Sequence, residues 1–314
     1  MTLFARTSLL VALAVETACS SARDPPRCMG TEQSSVVNGS SEETYLGLGA
    51  AELRAIVEIV DGTLAGTAES PLCSGAFVTK DWVVTARHCL LIRQPNVVVA
   101  PLDESPGAIL PVLEAVSSPT VDVALLRVDA SGLAGPLAPL AAADELPRGV
   151  HLGTPVEFAG YGLTEGRTAH ELRFAVEPIT SIDGESIVVD GHGASGACDG
   201  DSGGPLLARG TNGAARVLGV LAFGSATCVD DDSYERLDAL APWILATAGP
   251  APVATDCGSI SAEGRCLFAG ALWCDGGTLA AAECDAGTHC AFSAEDAGFR
   301  CVAGAADPCA RADP

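Results

Sequence analysis

Between residues 51 and 230 the chain is a succession of short runs with β-type composition, separated by Gly, Pro, Asp and Ser. The runs are SGAFVT, DWVVTA, NVVVA, VALLRV, SIVVD and RVLGVLAF. Several short strands at this spacing predict an antiparallel sandwich or barrel rather than a βαβ fold. The segment from Asp232 to Ala248 predicts the main helix, which Pro242 limits or kinks.

The amino-terminal residues have the pattern of an export signal. Arg6 precedes the apolar run LLVALAV, and small residues follow through Ala22. This pattern predicts a secretory signal peptide over residues 1–22, too short to remain as a membrane span. The sequence ETACSS leaves a second interpretation open, in which Cys19 is the lipid-modified cysteine of a bacterial lipoprotein. We expect a secreted or otherwise extracytoplasmic protein, released or anchored through Cys19, without a transmembrane segment.

The charge balance is strongly acidic. Forty Asp and Glu against seventeen Lys and Arg give a formal net charge of −23. Such a chain repels nucleic acid and anionic membrane surfaces, so neither is an expected partner. Hydrophobic residues nevertheless make up 48% of the 314 residues, which is enough to form a core and excludes a disordered chain.

Three segments carry residues suited to acyl transfer by a serine hydroxyl. This chemistry needs a base, an anion that orients the base, and backbone donors for the developing oxyanion. Ser202 lies in CDGDSGGPLL, His88 in CSGAFVTKDWVVTARHC and Asp122 in VDVALLRV. Each alone is consistent with a structural role, as a Gly/Asp turn, a core histidine and a strand-end turn. A metal site at His88 is not indicated, since no CxxC or HxxxH pattern accompanies it, and we expect no cofactor.

Taken together, the three segments resemble those of the trypsin-like serine proteases, which have the chymotrypsin fold. CxGDSGGPL is similar to the nucleophile segment, TAxHC to the histidine segment and DVALL to the DIALL strand, in the family's order. FAGYG resembles the GWG turn, and SYERLDALAPWI resembles the carboxy-terminal helix. The resemblance covers about residues 36–248. It implies an all-β fold of two six-stranded antiparallel β-barrels with a carboxy-terminal helix, and an active site in the cleft between the barrels.

The family's catalytic roles carry over to the matching positions. By resemblance, His88 is the base, Asp122 orients it, and Ser202 is the nucleophile. The backbone N–H groups of Gly200 and Ser202 are the expected donors to the oxyanion. Protein or peptide substrates are the implied partners, for a protein expected to be a monomer.

The resemblance also implies a zymogen. VVNG, residues 36–39, is similar to the IVGG sequence at which activation creates a new amino terminus. This makes residues 23–35 a propeptide and pairs the freed amine of Val36 with Asp201. Because Ser35 precedes the cut, autoactivation by a trypsin-like specificity is not indicated. An activating protease is therefore an implied partner.

The pocket for the side chain before the scissile bond is implied at Gly196, Ala222, Phe223, Gly224 and Asp232. Gly196 stands where trypsins carry an aspartate, while the resemblance places Asp232 at the pocket base. Some family members with this combination accept Arg or Lys, because the carboxylate reaches the same space from the opposite wall. We therefore predict a preference for Arg or Lys, with small or apolar residues as the alternative.

The thirteen cysteines of an exported chain indicate disulfides. The resemblance pairs Cys73 with Cys89 and Cys198 with Cys228. Apart from Cys19, this leaves Cys28 and the seven cysteines of residues 257–314, which predicts four bridges, one of them joining the propeptide to the tail.

Residues 249–256 read as a linker, so residues 257–314 form a small disulfide-rich module that resembles appendages of secreted bacterial proteins. It is either a stabilising spacer or a targeting module with Trp273 as a contact.

Two other functions compete with a secreted serine endopeptidase. One is a catalytically silent, protease-like binding protein, whose usual mark is a lost triad residue, and none is lost here. The other is an esterase built on GxSxG, which needs a strand-to-helix elbow; small residues rather than a helix-forming sequence flank GDSGG.

Overall fold

The structure is a computed structural model of the chain. It describes residues 37–43, 45–62, 73–92, 95–99, 107–166, 170–210, 213–250, 257, 260–267, 270–285 and 287–304. The expected signal peptide and propeptide, with Cys19, Cys28 and Val36, lie outside these residues. So do most of the expected linker and Cys309.

Six antiparallel strands close the first barrel, in the order β1-β2-β3-β6-β5-β4. A one-turn helix, α1 (Ala50–Leu53), precedes it. Three of its strands, CSGAF, WVVT and ALLRV, are buried over nearly their whole length, so both of their faces are covered. The strands are β1 (Ile56–Asp61), β2 (Cys73–Phe77), β3 (Trp82–Thr85), β4 (Pro95–Val99), β5 (Ala108–Ser117) and β6 (Ala124–Val128).

The second barrel is also a ring of six antiparallel strands, in the order β11-β8-β9-β10-β13-β12, closed by pairing of β11 with β12. The two-residue strand β7 adds to β12 in parallel, outside the ring. The strands are β7 (Ala141–Ala142), β8 (Pro155–Gly160), β9 (Arg173–Ile182), β10 (Ser186–Asp190), β11 (Pro205–Arg209), β12 (Ala215–Phe223) and β13 (Asp231–Arg236).

The helix predicted from Asp232 to Ala248 is wrong in its first part. Residues Asp231–Arg236 are strand β13, which pairs with both β10 and β12. Asp232 and Tyr234 are buried and their neighbours are not, so the segment has the two-residue period of a strand. The helix α2 begins only at Ala241 and ends at Ala248, after a single 3₁₀ turn at Asp238–Leu240. Pro242 lies in its first turn, where the missing N–H costs no hydrogen bond.

The cysteine-rich tail contains a three-stranded sheet and a hairpin. Its strands are β14 (Arg265–Leu267), β15 (Gly270–Asp275), β16 (Thr278–Glu283), β17 (Thr288–Ser293) and β18 (Gly298–Ala303). Three disulfides hold it together, Cys257–Cys274, Cys266–Cys290 and Cys284–Cys301. A segment with so few large apolar residues depends on such bonds for its stability.

The tail packs against the first barrel rather than extending away from it. Ile260, Leu272 and Leu279 are buried in the same hydrophobic cluster as the first barrel. The guanidinium of Arg265 donates to the carbonyl of Tyr45 over 2.9 Å. The tail therefore contributes to the core of the protein.

The predicted fold class is confirmed: two six-stranded antiparallel barrels, a short carboxy-terminal helix and a disulfide-rich carboxy-terminal region. Among the described residues no helix combines the length and the hydropathy required to span a membrane.

Candidate active site

The pairing of β3 with β6 brings His88 and Asp122 together. Thr85, the last residue of β3, lies opposite Ala124, the first residue of β6. His88 follows on a 3₁₀ turn, and Asp122 lies two residues before the first residue of β6. Asp122 Oδ2 lies 2.7 Å from His88 Nδ1, and Asp122 Oδ1 accepts the main-chain N–H of His88 over 2.9 Å. With Nδ1 bound to a carboxylate, the neutral ring keeps its proton there and leaves Nε2 as a free base.

Ser202 lies in the turn that leads into β11, and this turn is bound to the first barrel. The carbonyl of Ser202 accepts the N–H of Ser74, on β2, over 2.8 Å. The sulfur of Cys89 lies 3.7 Å from the same carbonyl. Cys89 is the neighbour of His88 and is bonded to Cys73. The disulfide therefore fixes the segment of the histidine to β2, and β2 is hydrogen-bonded to the segment of the serine.

The glycine after the serine is required by tertiary packing. Gly203 has φ +82°, a conformation that residues with a side chain rarely adopt. A Cβ at this position would lie 2.1 Å from Thr85 Oγ1 and 2.4 Å from the carbonyl oxygen of Ser74. Only glycine allows this close approach of the two barrels beside Ser202.

In the part of the chain that the structure describes, the N–H groups of Gly200 and Ser202 have no acceptor, and the exposed N–H of Asp199 has none either. The groups between and after them are paired: Asp201 donates to Cys198 and Gly203 to Leu221. Gly200 has φ +98°, which turns its peptide away from the regular path. Two unpaired donors flanking a serine are the arrangement that an oxyanion requires.

Asp201 is buried between these donors. Its Oδ1 accepts the N–H of Gly162 over 2.8 Å, and its Oδ2 accepts the N–H of Cys198 over 2.9 Å. A Cβ at Gly160 or Gly162 would lie 2.0 or 2.5 Å from this carboxyl group, so the FAGYG turn has glycines because Asp201 occupies the space. Burial raises the pKa of Asp201 to about 7, although both backbone hydrogen bonds oppose the shift.

Val37 and Asn38 lie beside residues 194–196, which precede Asp201 in the same loop. The N–H of Val37 donates to the carbonyl of Gly196 over 3.2 Å, and Asn38 Nδ2 donates to the carbonyl of Ala194 over 2.5 Å. Asn38 has φ +62°, a conformation that Asn tolerates better than most residues.

Asp232 joins the two walls of the expected specificity pocket. It is wholly buried; its Oδ2 accepts the N–H of Ala197 over 2.6 Å, and its Oδ1 accepts the N–H of Ser225 over 3.2 Å. A Cβ at Gly224 would lie 3.0 Å from Oδ1. Burial raises the pKa of Asp232 to about 6; its two backbone bonds oppose the shift, and the charges of Asp231 and Asp190 add to it.

The other expected pocket residues surround Asp232. A Cβ at Gly196 would lie 2.7 Å from the carbonyl oxygen of Cys228, which is bonded to Cys198. Ala222 is half-buried and Phe223 is 73% exposed, at the end of β12. Residues 196–197 and 224–225 thus meet at Asp232, and Phe223 is exposed to solvent beside them.

A metal would find poor ligands here. A ring nitrogen of His88 and the sulfurs of Cys73 and Cys89 lie within 4.8 Å of one another. Both sulfurs are bonded in a disulfide, so neither is a thiolate.

Two contributors were missed by the sequence interpretation. Ser74 Oγ donates to the carbonyl of Gly200 over 3.0 Å and accepts the N–H of Tyr161 over 3.0 Å, so it connects three segments of the site. Glu177 is buried inside the second barrel, 1% exposed. Glu177 could have been recognised as a glutamate at a core position of the run RFAVEPITSI. No local sequence feature distinguishes Ser74 from other serines.

Comparison with known proteins agrees with this geometry. The family model described as Trypsin matches residues 58–244, more than half of the chain. The chain is 29% identical over 213 residues to human (Homo sapiens) chymotrypsin-like elastase family member 3B, covering 56% of this chain and 77% of that protein. It is 32% identical over 206 residues to human granzyme M, with the same two coverages. It is 28% identical over 212 residues to proproteinase E of Bos taurus, covering 55% and 81%. The chain therefore belongs to the trypsin family of serine proteases.

Proposed function

We propose that the protein is an extracytoplasmic serine endopeptidase in which Ser202 is the nucleophile, His88 the general base and Asp122 the residue that orients it. The observation that supports this most directly is that the carboxylate of Asp122 accepts two hydrogen bonds from His88, one from the ring and one from the main chain. The unpaired N–H groups of Gly200 and Ser202 supply the second requirement, a site for negative charge.

In acylation, Ser202 Oγ attacks the substrate carbonyl carbon while His88 Nε2 takes the hydroxyl proton. The N–H groups of Gly200 and Ser202 donate to the oxyanion of the tetrahedral intermediate. His88 then gives its proton to the leaving amine, the peptide C–N bond breaks and an ester to Ser202 remains. Water attacks this ester with His88 again as base, which releases the acid and restores Ser202. Throughout, Asp122 stabilises the imidazolium and stays ionised.

Activation by cleavage before Val36 is the second part of the proposal. Val37 and Asn38 lie along residues 194–196, so a new amine at Val36 is within reach of this region. Among the described residues Asp201 accepts hydrogen bonds from backbone N–H groups alone, and an amine beside it would supply a positive charge. We expect an activating protease to make this cut after export by the segment 1–22. Sequencing the amino terminus of active enzyme tests the cut, and a start well upstream of Val36 would overturn it.

For specificity we propose a basic residue before the scissile bond, with Asp232 as its counter-charge. Each oxygen of Asp232 accepts one backbone N–H and keeps a second lone pair for a cation. The close approach of Gly224 to Asp232 favours the alternative, a small side chain, because it shortens the pocket. The test measures cleavage of peptides with Arg, Lys or Ala before the scissile bond by Asp232→Ala and, as a control, by Asp231→Ala, which changes an exposed residue. Unchanged cleavage after Arg and Lys excludes a role for Asp232.

A fluorophosphonate label tests the catalytic proposal as a whole. After activation we expect stoichiometric labelling of Ser202, lost in Ser202→Ala and in His88→Ala. Both variants should retain the far-UV circular dichroism of the native protein. Absence of labelling in the activated protein would favour the protease-like binding protein instead.

A further inference from the structure

Glu177 is a buried carboxylate that the catalytic proposal does not use. It lies on β9, and its neighbours across the sheet are β10 and then β13. Val189 of β10 faces Ile179 on one side and Asp232 on the other. Since side chains two residues apart share a face, Glu177, Asp232 and Tyr234 all point into the interior of the second barrel.

Two buried polar atoms in this interior have no hydrogen-bond partner among the described residues. Glu177 Oε1 accepts the hydroxyl of Ser195 over 2.8 Å, but Oε2 is unpaired. The phenol oxygen of Tyr234, a wholly buried residue, is unpaired as well. Folded proteins seldom leave such groups unsatisfied, because each one costs free energy without a partner, so unpaired groups at one place indicate a ligand.

The two carboxylates lie on either side of Gly196. Glu177 is bound to the residue before this glycine, Ser195, and Asp232 to the residue after it, Ala197. A Cβ at Gly196 would lie 2.7 Å from the carbonyl oxygen of Cys228, so this position carries no side chain of its own. Gly196 is also the position at which trypsins carry an aspartate, so acidic side chains from β9 and β13 flank the place of that missing aspartate.

Glycines adjoin both carboxylates on their other sides. A Cβ at Gly191 would lie 2.7 Å from Glu177 Oε1, and a Cβ at Gly224 would lie 3.0 Å from Asp232 Oδ1. A larger residue at either glycine would press its Cβ against the neighbouring carboxylate, so the two glycines leave room for Glu177 and Asp232.

We propose that Glu177 is a specificity-determining residue: with Asp232 and the phenol of Tyr234, it binds the ammonium group of a lysine that precedes the scissile bond. This inference rests on the proposed endopeptidase function and extends it. An ammonium has three N–H donors, which match Glu177 Oε2, Asp232 and Tyr234 Oη. Lysine suits the site better than arginine, because its charge is compact and the planar guanidinium needs a wider space.

The preference for lysine depends on pH, because burial and nearby charges raise the pKa of Glu177. Burial raises its pKa to about 8; the Ser195 hydroxyl opposes the shift, and Asp232 and Asp190 add to it. Asp190 itself lies 2.8 Å from a ring nitrogen of His192, and Tyr234 is neutral. Because its pKa is raised, Glu177 must lose a proton to pair with lysine. The preference for lysine therefore rises as the pH approaches 8.

The test compares kcat/KM for peptides that differ only in having Lys, Arg or Ala before the cleaved bond. The variants are Glu177→Gln and, as a matched control, Glu185→Gln, which neutralises an exposed glutamate on the β9–β10 turn. We expect the Lys/Ala ratio to fall roughly 10- to 100-fold in Glu177→Gln and to stay constant in the control. The rise of the ratio between pH 7 and 8 should disappear in Glu177→Gln, where Asp232 with its pKa of about 6 is the acidic partner that remains, and it should persist, weakened, in Glu177→Asp.

Other outcomes overturn the inference. Equal losses on the Lys and Ala peptides would make Glu177 purely structural, and an unchanged ratio would show that lysine does not reach it. Higher activity on Ala than on Lys in the native protein would mean that the pocket ends at Asp232. In all three cases fluorophosphonate still labels Ser202 and peptides are still cleaved. If the activated native protein neither labels nor cleaves, the proposed endopeptidase function fails, and with it this extension.

Discussion

Asp122 binds His88 twice, through the ring Nδ1 at 2.7 Å and through the main-chain N–H at 2.9 Å. The second bond places the backbone of the histidine relative to the carboxylate, so the ring cannot pivot away without breaking both. In Asp122→Asn the amide can no longer keep the ring proton at Nδ1 in the same way. We expect kcat to fall about 10⁴-fold, the magnitude known for this change in trypsin-like enzymes, with little change in KM. A native-like stability in denaturant with kcat reduced less than tenfold would contradict the orienting role.

Gly203 and Gly153 form a matched pair for testing the contact between the barrels. Their φ angles are +82° and +83°, so alanine is strained at both. A Cβ at Gly203 meets Thr85 and Ser74, whereas a Cβ at Gly153 meets nothing within 4 Å. We expect Gly153→Ala to lower the free energy of unfolding by about 1 kcal/mol. Gly203→Ala should cost several times more or prevent folding, as measured by urea unfolding. Similar losses would show that backbone strain alone explains both glycines.

Asp201 should make the uncleaved protein less stable as the pH rises. Its pKa in the folded state is about 7, above the usual value near 3.8, so the folded protein binds a proton that the unfolded chain has released. Stability from this group is therefore fully present below about pH 4 and is lost as the pH rises through 7. Asp201→Asn should flatten this part of the stability curve, while the exposed Asp199→Asn should not. Urea unfolding from pH 4 to 8 measures it, and parallel curves for native protein and Asp201→Asn would contradict the burial argument.

The tail should be inseparable from the stability of the barrels. Leu272, on β15, is 2% exposed and belongs to the cluster that contains the first barrel's core. Leu272→Ala should cost about 2–5 kcal/mol in unfolding free energy, and the exposed Leu245→Ala should cost under 1. Truncation after Pro250 should lower the Tm of the whole protein, because it uncovers apolar surface around Gly213. An unchanged Tm would restore the interpretation of the tail as an independent targeting module.

Much of this architecture follows from local sequence. The short β-type runs predict the strands. Through their resemblance to the trypsin-like proteases, three short segments predict the candidate catalytic residues: Ser202 in a turn, Asp122 at a strand end and His88 in a bridged turn. The helix prediction failed at Asp231–Arg236 because polar residues such as Asp232 are buried there, and burial of an acid is invisible to a hydrophobic pattern. Glu177 was not predicted as a site residue for the same reason: its burial cannot be read from a hydrophobic pattern.

By itself, the sequence determined the fold class, the family resemblance and the identity of the candidate triad, since these depend on residue type, period and order along the chain. Only the tertiary structure decided what surrounds Gly196, because Glu177 and Asp232 are more than fifty residues apart and meet through strand pairing. It also decided that the tail is part of the core, since Arg265 and Leu272 find their partners at residues 45–47 and beside Gly213. Contacts between distant segments depend on register and closure of the barrels, and no local pattern encodes them.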